Sequence, residues 1–230
     1  MSTSDALPVK LRVIICIQYV VNRMAGWIRR NSADPVEAEL TDTMRNRHCI
    51  QDLITNFTVI RKEILDNFNH LTPIEGDLFF ERTITDDGKW NKFYLKWYNK
   101  PSARARALFP ATVDLIQRHP DIHLAMVSCL EPGAVIKPHR GVWNGSVRVH
   151  LGIEIPKDRK CYIRVDDRRY RWEEGNILAF DDTYMHLVMN KTDDPRIVLF
   201  LDVERRMRTA FHQAIVRGFN KTVARITTRD

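Results

Sequence analysis

From Ile122 to Val203 the chain is a succession of short β-prone runs separated by turn residues, and this texture constrains its fold more than any other feature. The runs cover 122–130, 133–137, 146–155, 160–166, 169–172, 176–180, 185–190 and 196–203. Pro132-Gly133, Asn144-Gly145, Asp166-Asp167, Glu174-Gly175 and Asp193-Asp194-Pro195 punctuate them. Eight strands of this length and spacing suit a mostly-β fold: a double-sheet jelly roll or barrel with helices packed outside it.

The helices are expected on either side of that block. Leu53, Phe57, Ile60, Ile64 and Phe68 repeat every three or four residues and mark one apolar helical face, ended by His70-Leu71-Thr72-Pro73. Residues 74–92 read as irregular with a turn at Asp87-Gly88, FYLKWY (93–98) as β-prone, and Ala103–Arg118 as a further helix stopped near Pro120. A closing helix is expected from Arg205 to about Phe219, with Met207, Phe211, Ala214, Ile215 and Gly218 facing inward. Residues 31–48, polar and broken by Asp34-Pro35, read as a linker. The apolar run Val13–Val21, flanked by Lys10, Arg12, Arg23, Arg29 and Arg30, is too short to span a bilayer, which takes about 20 residues. It has no small-residue cleavage site, so residues 11–30 read as an amphipathic helix on the domain or on a membrane surface. The organisation expected is therefore an N-terminal segment and linker (1–48), one domain (49–206, helical support 49–120 and jelly-roll core 121–204), and a basic helix and tail (207–230).

Composition excludes a disordered or fibrous chain: 44% of the 230 residues are hydrophobic and 28% charged. Four widely spaced cysteines with no CxxC pair suit a reducing compartment and offer no zinc knuckle. The net charge of +7 is concentrated from Arg205 onward, where seven Lys/Arg face a single acid, Asp230. Such a tail suits an anionic surface, either a membrane face or nucleic acid, and equally a solvated helix face. Aromatics in it are confined to Phe211 and Phe219, which is not the interleaving of a single-strand binder, so no nucleic acid is expected.

The strand 146–155 carries the first chemical signal. Its alternation puts Ser146, Arg148, His150 and Gly152 on one face and Val147, Val149, Leu151 and Ile153 on the other. In a barrel sheathed by helices the polar face lines the lumen, where Arg and His need an anionic or metal-bound guest; in a half-exposed strand the same face meets water. His139 lies just before this strand and His186 after Phe180-Asp181-Asp182-Thr183, both neutral-imidazole candidates for a metal. Arg196, ten residues past His186, shares its parity with Val198 and Phe200 and is placed to grip the far carboxylate of a metal-chelated oxoacid.

The stretches PHRG (138–141), SVRVHLGIEIP (146–156), WEEG (172–175), FDDTYMH (180–186) and RIVLFLDV (196–203), in this order, resemble the aspartyl/asparaginyl β-hydroxylase family of 2-oxoglutarate oxygenases over Phe93 to about Arg206. FYLKWY (93–98) and DVER (202–205) are similar to its lipid A 2-hydroxylase branch. The resemblance implies a double-stranded β-helix, cupin-like, and an enzyme that uses iron(II), 2-oxoglutarate and O2. It implies His139 and His186 as iron ligands, and Ser128 and Arg196 on the distal carboxylate of 2-oxoglutarate. Arg148 and His150 would lie near the cosubstrate's metal-binding end, and Asp182 would orient water at the metal. Two departures stand out. Gly141 occupies the place where most such enzymes carry a third, carboxylate ligand, leaving room for water or a halide; the resemblance gives Gly there in the protein-hydroxylating branch and Asp in the lipid A branch. Ser146 replaces an Arg expected to hold an aspartyl carboxylate. The substrate implied is a lipid acyl chain, lipid A-like, with an aspartyl- or asparaginyl-containing substrate as the alternative and a non-catalytic anion-binding barrel as the non-enzyme reading. A cytoplasmic protein with its basic termini on the inner face of a membrane is expected.

Overall fold

The computed structural model describes residues 23–73, 84–85, 88–98, 100–141 and 143–227. The run Val13–Val21 and the turn residue Asp87 lie outside them, as does most of the irregular stretch expected at 74–92. Residues 23–31 are helical (α1), and among the described residues no helix is long and apolar enough to cross a membrane.

All eight strands of the 122–203 block are present, and the fold is a mostly-β jelly roll of two antiparallel sheets. The strands are β1 (Thr72–Pro73), β2 (Trp90–Trp97), β3 (Lys100–Pro101), β4 (Ile122–Leu130), β5 (Val135–His139), β6 (Ser146–Glu154), β7 (Cys161–Val165), β8 (Arg168–Tyr170), β9 (Ile177–Phe180), β10 (His186–Asn190) and β11 (Arg196–Glu204). The large sheet runs β1-β2-β4-β11-β6-β9, with β3 beside β2, and the small sheet runs β5-β10-β7-β8. β5 starts two residues later than the sequence suggests, because Gly133 at φ 79° and the Ala134 N–H to Glu131 carbonyl bond of 3.1 Å extend the turn. That shift makes His139 the last residue of the strand.

The alternation of β6 divides the interior in two. Val147, Val149, Leu151 and Ile153 are fully buried and join Leu199, Leu201 and Val203 of β11 in one cluster with helical residues Ile50, Leu53, Ile60, Ile64, Val113 and Ile116. The opposite face sends Met126, Leu130, Val198 and Phe200 against Ile136, Ile163, Val165 and Val188 of the small sheet. The large sheet is therefore covered on both faces, and polar side chains on its inner face lie between the sheets.

The helical layer departs from expectation in detail. The period starting at Leu53 is carried by two helices, α3 (His48–Thr55) and α4 (Phe57–Asp66), not one. Asn56 breaks the run at φ −96°, ψ 15°, and its side-chain amide caps the Asp52 carbonyl at 2.8 Å. The helix expected over Ala103–Arg118 is likewise α5 (Ala103–Leu108) and α6 (Pro110–Gln117). The ring of Pro110 disfavours helical geometry at Phe109, which sits at φ −130°, ψ 52°. The last helix, α7, spans Ala210–Thr227 instead of starting at Arg205, and its inward face is not the expected one. Val216 and Asn220 are buried, whereas Phe211 is 71% exposed and Ala214 and Gly218 are exposed. The buried polar contact of Asn220 with His123 Nε2, 3.0 Å, fixes that rotation.

Residues 31–48 are a strap, not a linker. Ser32 bridges Met207 and Glu39 bridges Phe180, Asp34 accepts from Arg47 Nη2 at 2.6 Å and from the Arg206 N–H at 2.8 Å, and α2 occupies Thr41–Arg45. Arg205, 1% exposed, closes the strap onto the barrel rim. It donates to Asp181 Oδ2 (2.8 Å), the Asn144 carbonyl (2.8 Å) and the Pro35 carbonyl (3.0 Å). Because Asp181 is fully buried, removing its partner strands a carboxylate in the interior. Arg205→Met should lower unfolding stability by about 3–5 kcal/mol, with most of it regained in Arg205→Met/Asp181→Leu. Denaturant titration of both checks it, and a loss under about 1 kcal/mol in the single variant contradicts the role.

Candidate active site

The two histidines meet where the small sheet begins and ends. His139 closes β5, His186 opens β10, and the two are direct register partners with ring centroids 4.1 Å apart. Each ring is oriented by its own strand end. His139 Nδ1 is 2.7 Å from the Lys137 carbonyl and His186 Nδ1 is 2.9 Å from that of Tyr184. A carbonyl only accepts, so each Nδ1 carries the proton and each Nε2 keeps its lone pair. Burial holds both rings neutral, lowering His139 and bringing His186 down to about 3. A close pair of neutral imidazoles with oriented Nε2 atoms is suited to hold a transition-metal ion.

Between the sheets the remaining predicted residues other than Asp182 line one cavity with the histidines. Ser128, His139, Arg148, His150, His186 and Arg196 share it with the apolar walls Ile136, Phe180, Val188 and Phe200, and about 30 Å³ is open to the centres of water-sized molecules. Arg196 opens β11, is 1% exposed, and its Nε and Nη1 have no partner among the described residues. Its face rests on the Trp172 ring, 4.8 Å from the centroid, and burial lowers it to about 10. His150 stands between Phe180 and Phe200, with ring centroids at 5.3 and 5.1 Å. Trp172 Nε1 donates to His150 Nδ1 at 3.1 Å, so the His150 proton sits on Nε2, another buried atom with no partner. Ser128 Oγ accepts from Trp90 Nε1 at 2.9 Å.

Trp90 and Trp172 are the residues that sequence reasoning left without a role. WEEG was noticed as a motif, but the approach that seats Trp172 depends on Gly152. A Cβ there would lie 2.2 Å from the Glu173 carbonyl oxygen, and a glycine inside a strand pattern is the sequence sign of such an approach. Nothing local points to Trp90, whose partner is 38 residues away.

Arg148 lines the cavity beside the two histidines and is also tied to two carboxylates. Its Nη1 is 2.8 Å from Asp182 Oδ2 and its Nε 3.1 Å from Asp202 Oδ1, the residue directly across from it on β11. Burial opposes its charge, and the two carboxylates nonetheless hold its pKa raised. Asp182 is itself pushed up by burial to about 6, with Arg148 opposing the shift. The loop that carries it is shaped by the neighbouring side chain: Asp181 Oδ1 accepts from the Thr183 N–H at 3.0 Å and from its hydroxyl.

A side chain at position 141 would have no room. A Cβ at position 141 would fall 2.0 Å from Asp182 Oδ2 and 2.2 Å from its Cγ, and the Gly141 N–H already donates to the Asp182 carbonyl at 2.7 Å. The carboxylate of Asp182 fills the place that a side chain at 141 would need. Gly141→Ala should therefore displace Asp182 from Arg148 at a cost of about 1–3 kcal/mol in stability, with a fall in turnover. Denaturant unfolding beside an activity assay checks this, and a variant with unchanged stability would show that Asp182 moves freely.

The family description Aspartyl/Asparaginyl beta-hydroxylase matches residues 55–206. Over 129 residues the chain is 38% identical to the ornithine lipid ester-linked acyl 2-hydroxylase of Rhizobium tropici, covering 56% of this chain and 46% of that one. Over 162 residues it is 29% identical to the aspartyl/asparaginyl beta-hydroxylase of Homo sapiens, covering 67% of this chain and 21% of that one. The chain thus spans less than half the length of these relatives. A prolyl-4-hydroxylase of Pseudomonas putida superposes with a TM-score of 0.43 at 16% identity, over 67% of this chain and 87% of that one, too loosely to bear on function. Since the matched segment covers more than half of its residues, the chain belongs to the aspartyl/asparaginyl β-hydroxylase family.

Proposed function

We propose that this hydroxylase is an iron(II)- and 2-oxoglutarate-dependent dioxygenase acting on an acyl chain of a membrane lipid. The observation that carries the cosubstrate reading is the set of partnerless buried donors, Arg196 Nε and Nη1 and His150 Nε2, lining one cavity with two neutral imidazoles. That set fits a small diacid chelated to a metal. Other anions would satisfy Arg196, and other divalent ions the imidazoles, so the choice of iron and 2-oxoglutarate rests on the family.

His139 and His186 would hold the iron through Nε2, and bound there with 2-oxoglutarate and O2 it supplies the oxidising power to insert one oxygen atom into an unactivated C–H bond, leaving succinate and CO2. Arg196 binds the distal carboxylate through its free fork, with the Ser128 hydroxyl beside it and Trp172 fixing the guanidinium plane. His150 donates its Nε2 proton to the end nearer the metal. Asp182, held by Arg148, orients water and polar groups at the position beside Gly141. Ile136, Phe180, Val188 and Phe200 keep bulk water from the reacting bond.

Three features support an acyl substrate. The Rhizobium tropici relative is named for an ester-linked acyl chain. Ser146 stands where a second Arg would grip an aspartyl carboxylate, and Arg148 is already committed to Asp182 and Asp202. Phe211, 71% exposed at the start of the basic helix α7, suits contact with a membrane face. Gly141, which the resemblance associates with the protein-hydroxylating branch, favours hydroxylation of aspartyl or asparaginyl residues as the second reading.

Mass analysis of lipids from expressing cells should show one added oxygen on an ester-linked acyl chain, lost in His186→Ala. Separate fractions for lipid A and for amine-headed lipids identify the carrier. Unchanged lipids together with an oxygenated aspartyl peptide would move the assignment to the second reading. Arg196→Ala should raise the apparent KM for 2-oxoglutarate at least about tenfold, as expected for a lost charge-assisted hydrogen bond. The cosubstrate-free variant should be no less stable, since a desolvated charge has gone; an unchanged KM refutes the assignment.

A further inference from the structure

A second group of ligand-type side chains converges on the helical layer, away from the lumen. His48 opens α3, Asp52 stands one turn later on the same face, and His119 follows α6 at the turn into β4. One ligand atom from each lies within 4.8 Å of the others, and the two imidazole centroids are 5.4 Å apart. The helices that carry this group supply Ile50, Leu53, Val113 and Ile116 to the apolar cluster on the outer face of the large sheet. The His139–His186 pair lines the cavity between the sheets, so the two groups cannot serve one ion.

We infer that His48, Asp52 and His119 form a second metal site, for a divalent late first-row ion of the Zn(II) type, which clips α3 to the α6–β4 turn. Two imidazoles and a carboxylate are a donor set that such ions accept, with a solvent position left for water. His119 Nε2 and Asp52 Oδ2 are 2.9 Å apart. That separation belongs to two atoms sharing a proton, and opening it to about 3.3 Å would seat both at the tetrahedral angle on an ion with bonds of about 2.0–2.1 Å. Metal binding would therefore exchange the shared proton for the ion.

The group is also preorganised to different degrees in a useful order. His119 is 7% exposed, and its carbonyl accepts from Lys96 Nζ at 3.2 Å and from the Ile122 N–H at 3.2 Å, so its backbone is fixed. Asp52 is half-buried within α3, one helical turn from His48. His48 is exposed, and its ligand atom lies within 4.8 Å of those of Asp52 and His119. The Asp52–His119 bond does not require a histidine at 48; a metal does.

The test is a Zn(II) titration of the full chain against a chromophoric chelator. The wild type should bind two equivalents, the His139→Ala/His186→Ala variant one, and addition of His48→Ala to that variant should weaken the remaining equivalent at least about tenfold. His48→Ala alone should leave iron-dependent turnover unchanged while binding one equivalent fewer, and because the residue is exposed the variant keeps its fold. Zn(II) should also raise the Tm of the lumen-silenced variant only where His48 is present. Equal Zn(II) binding with and without His48, or no binding once the lumen site is silenced, overturns the proposal.

Discussion

A guanidinium buried between two sheets without a carboxylate to meet it is the constraint around which this interior is arranged. Arg196 has apolar neighbours, a tryptophan face and two cysteines around it, and burial pulls its pKa down by desolvation. Charge in such a place costs several kcal/mol unless a counter-charge arrives. The other basic groups nearby do not compete for that counter-charge: His139, His186 and His150 are all pushed toward neutrality, and Arg148 is neutralised by Asp182 and Asp202. Arg196 is thus the lumen cation with no ion-pair partner among the described residues, in the same cavity as the two imidazoles. A desolvated guanidinium of this kind fits the anion site proposed above, since a stability cost of this sort is the exchange expected of an active centre.

Much of this was legible because β-strands expose their two faces with period two. The parity of 146–154 separated Arg148 and His150 from Val147 and Val149, and the two sets face different surroundings: the valines join the helix-side cluster, while Arg148 and His150 line the cavity between the sheets. The same rule applied to β11 puts Asp202 on the face of Arg196, Val198 and Phe200, so the partner of Arg148 could have been read from the sequence. The strap at 31–48 could not: its buried acid is paired across long stretches of chain, and locally it is only polar. Asn56 and Phe109-Pro110 show the reverse, local chemistry that breaks a helical period but leaves its apolar face intact. The face of α7 was misassigned because its buried polar residue, Asn220, is fixed by a histidine 97 positions away, and hydrophobicity alone cannot find it.

Gly141 and Asp182 are best understood as one feature. A glycine in the place of a ligand suggests a vacancy, yet the nearest volume is filled by a carboxylate four residues before His186. Asp182, on the loop before the second histidine, leans on Arg148. Its negative charge is kept near the imidazole pair while the Arg148 bridge, itself tied to Asp202, limits its reach.

That arrangement welds the site to the fold at a single turn. Asp181 and Asp182 point in opposite directions: one meets Arg205 at the junction of strap, rim and C-terminal segment, the other meets Arg148 in the site. Asp181 also bonds Thr183, and the Asp182 carbonyl takes the Gly141 N–H, so the loop leading to His186 is fixed from both sides. A change in how the strap seats would pass through one buried ion pair to the turn whose next residue orients the site. The position of the second imidazole is then a property of the whole rim, and the two-residue acidic turn that looks like a surface loop in sequence is where folding stability and chemistry share the same atoms.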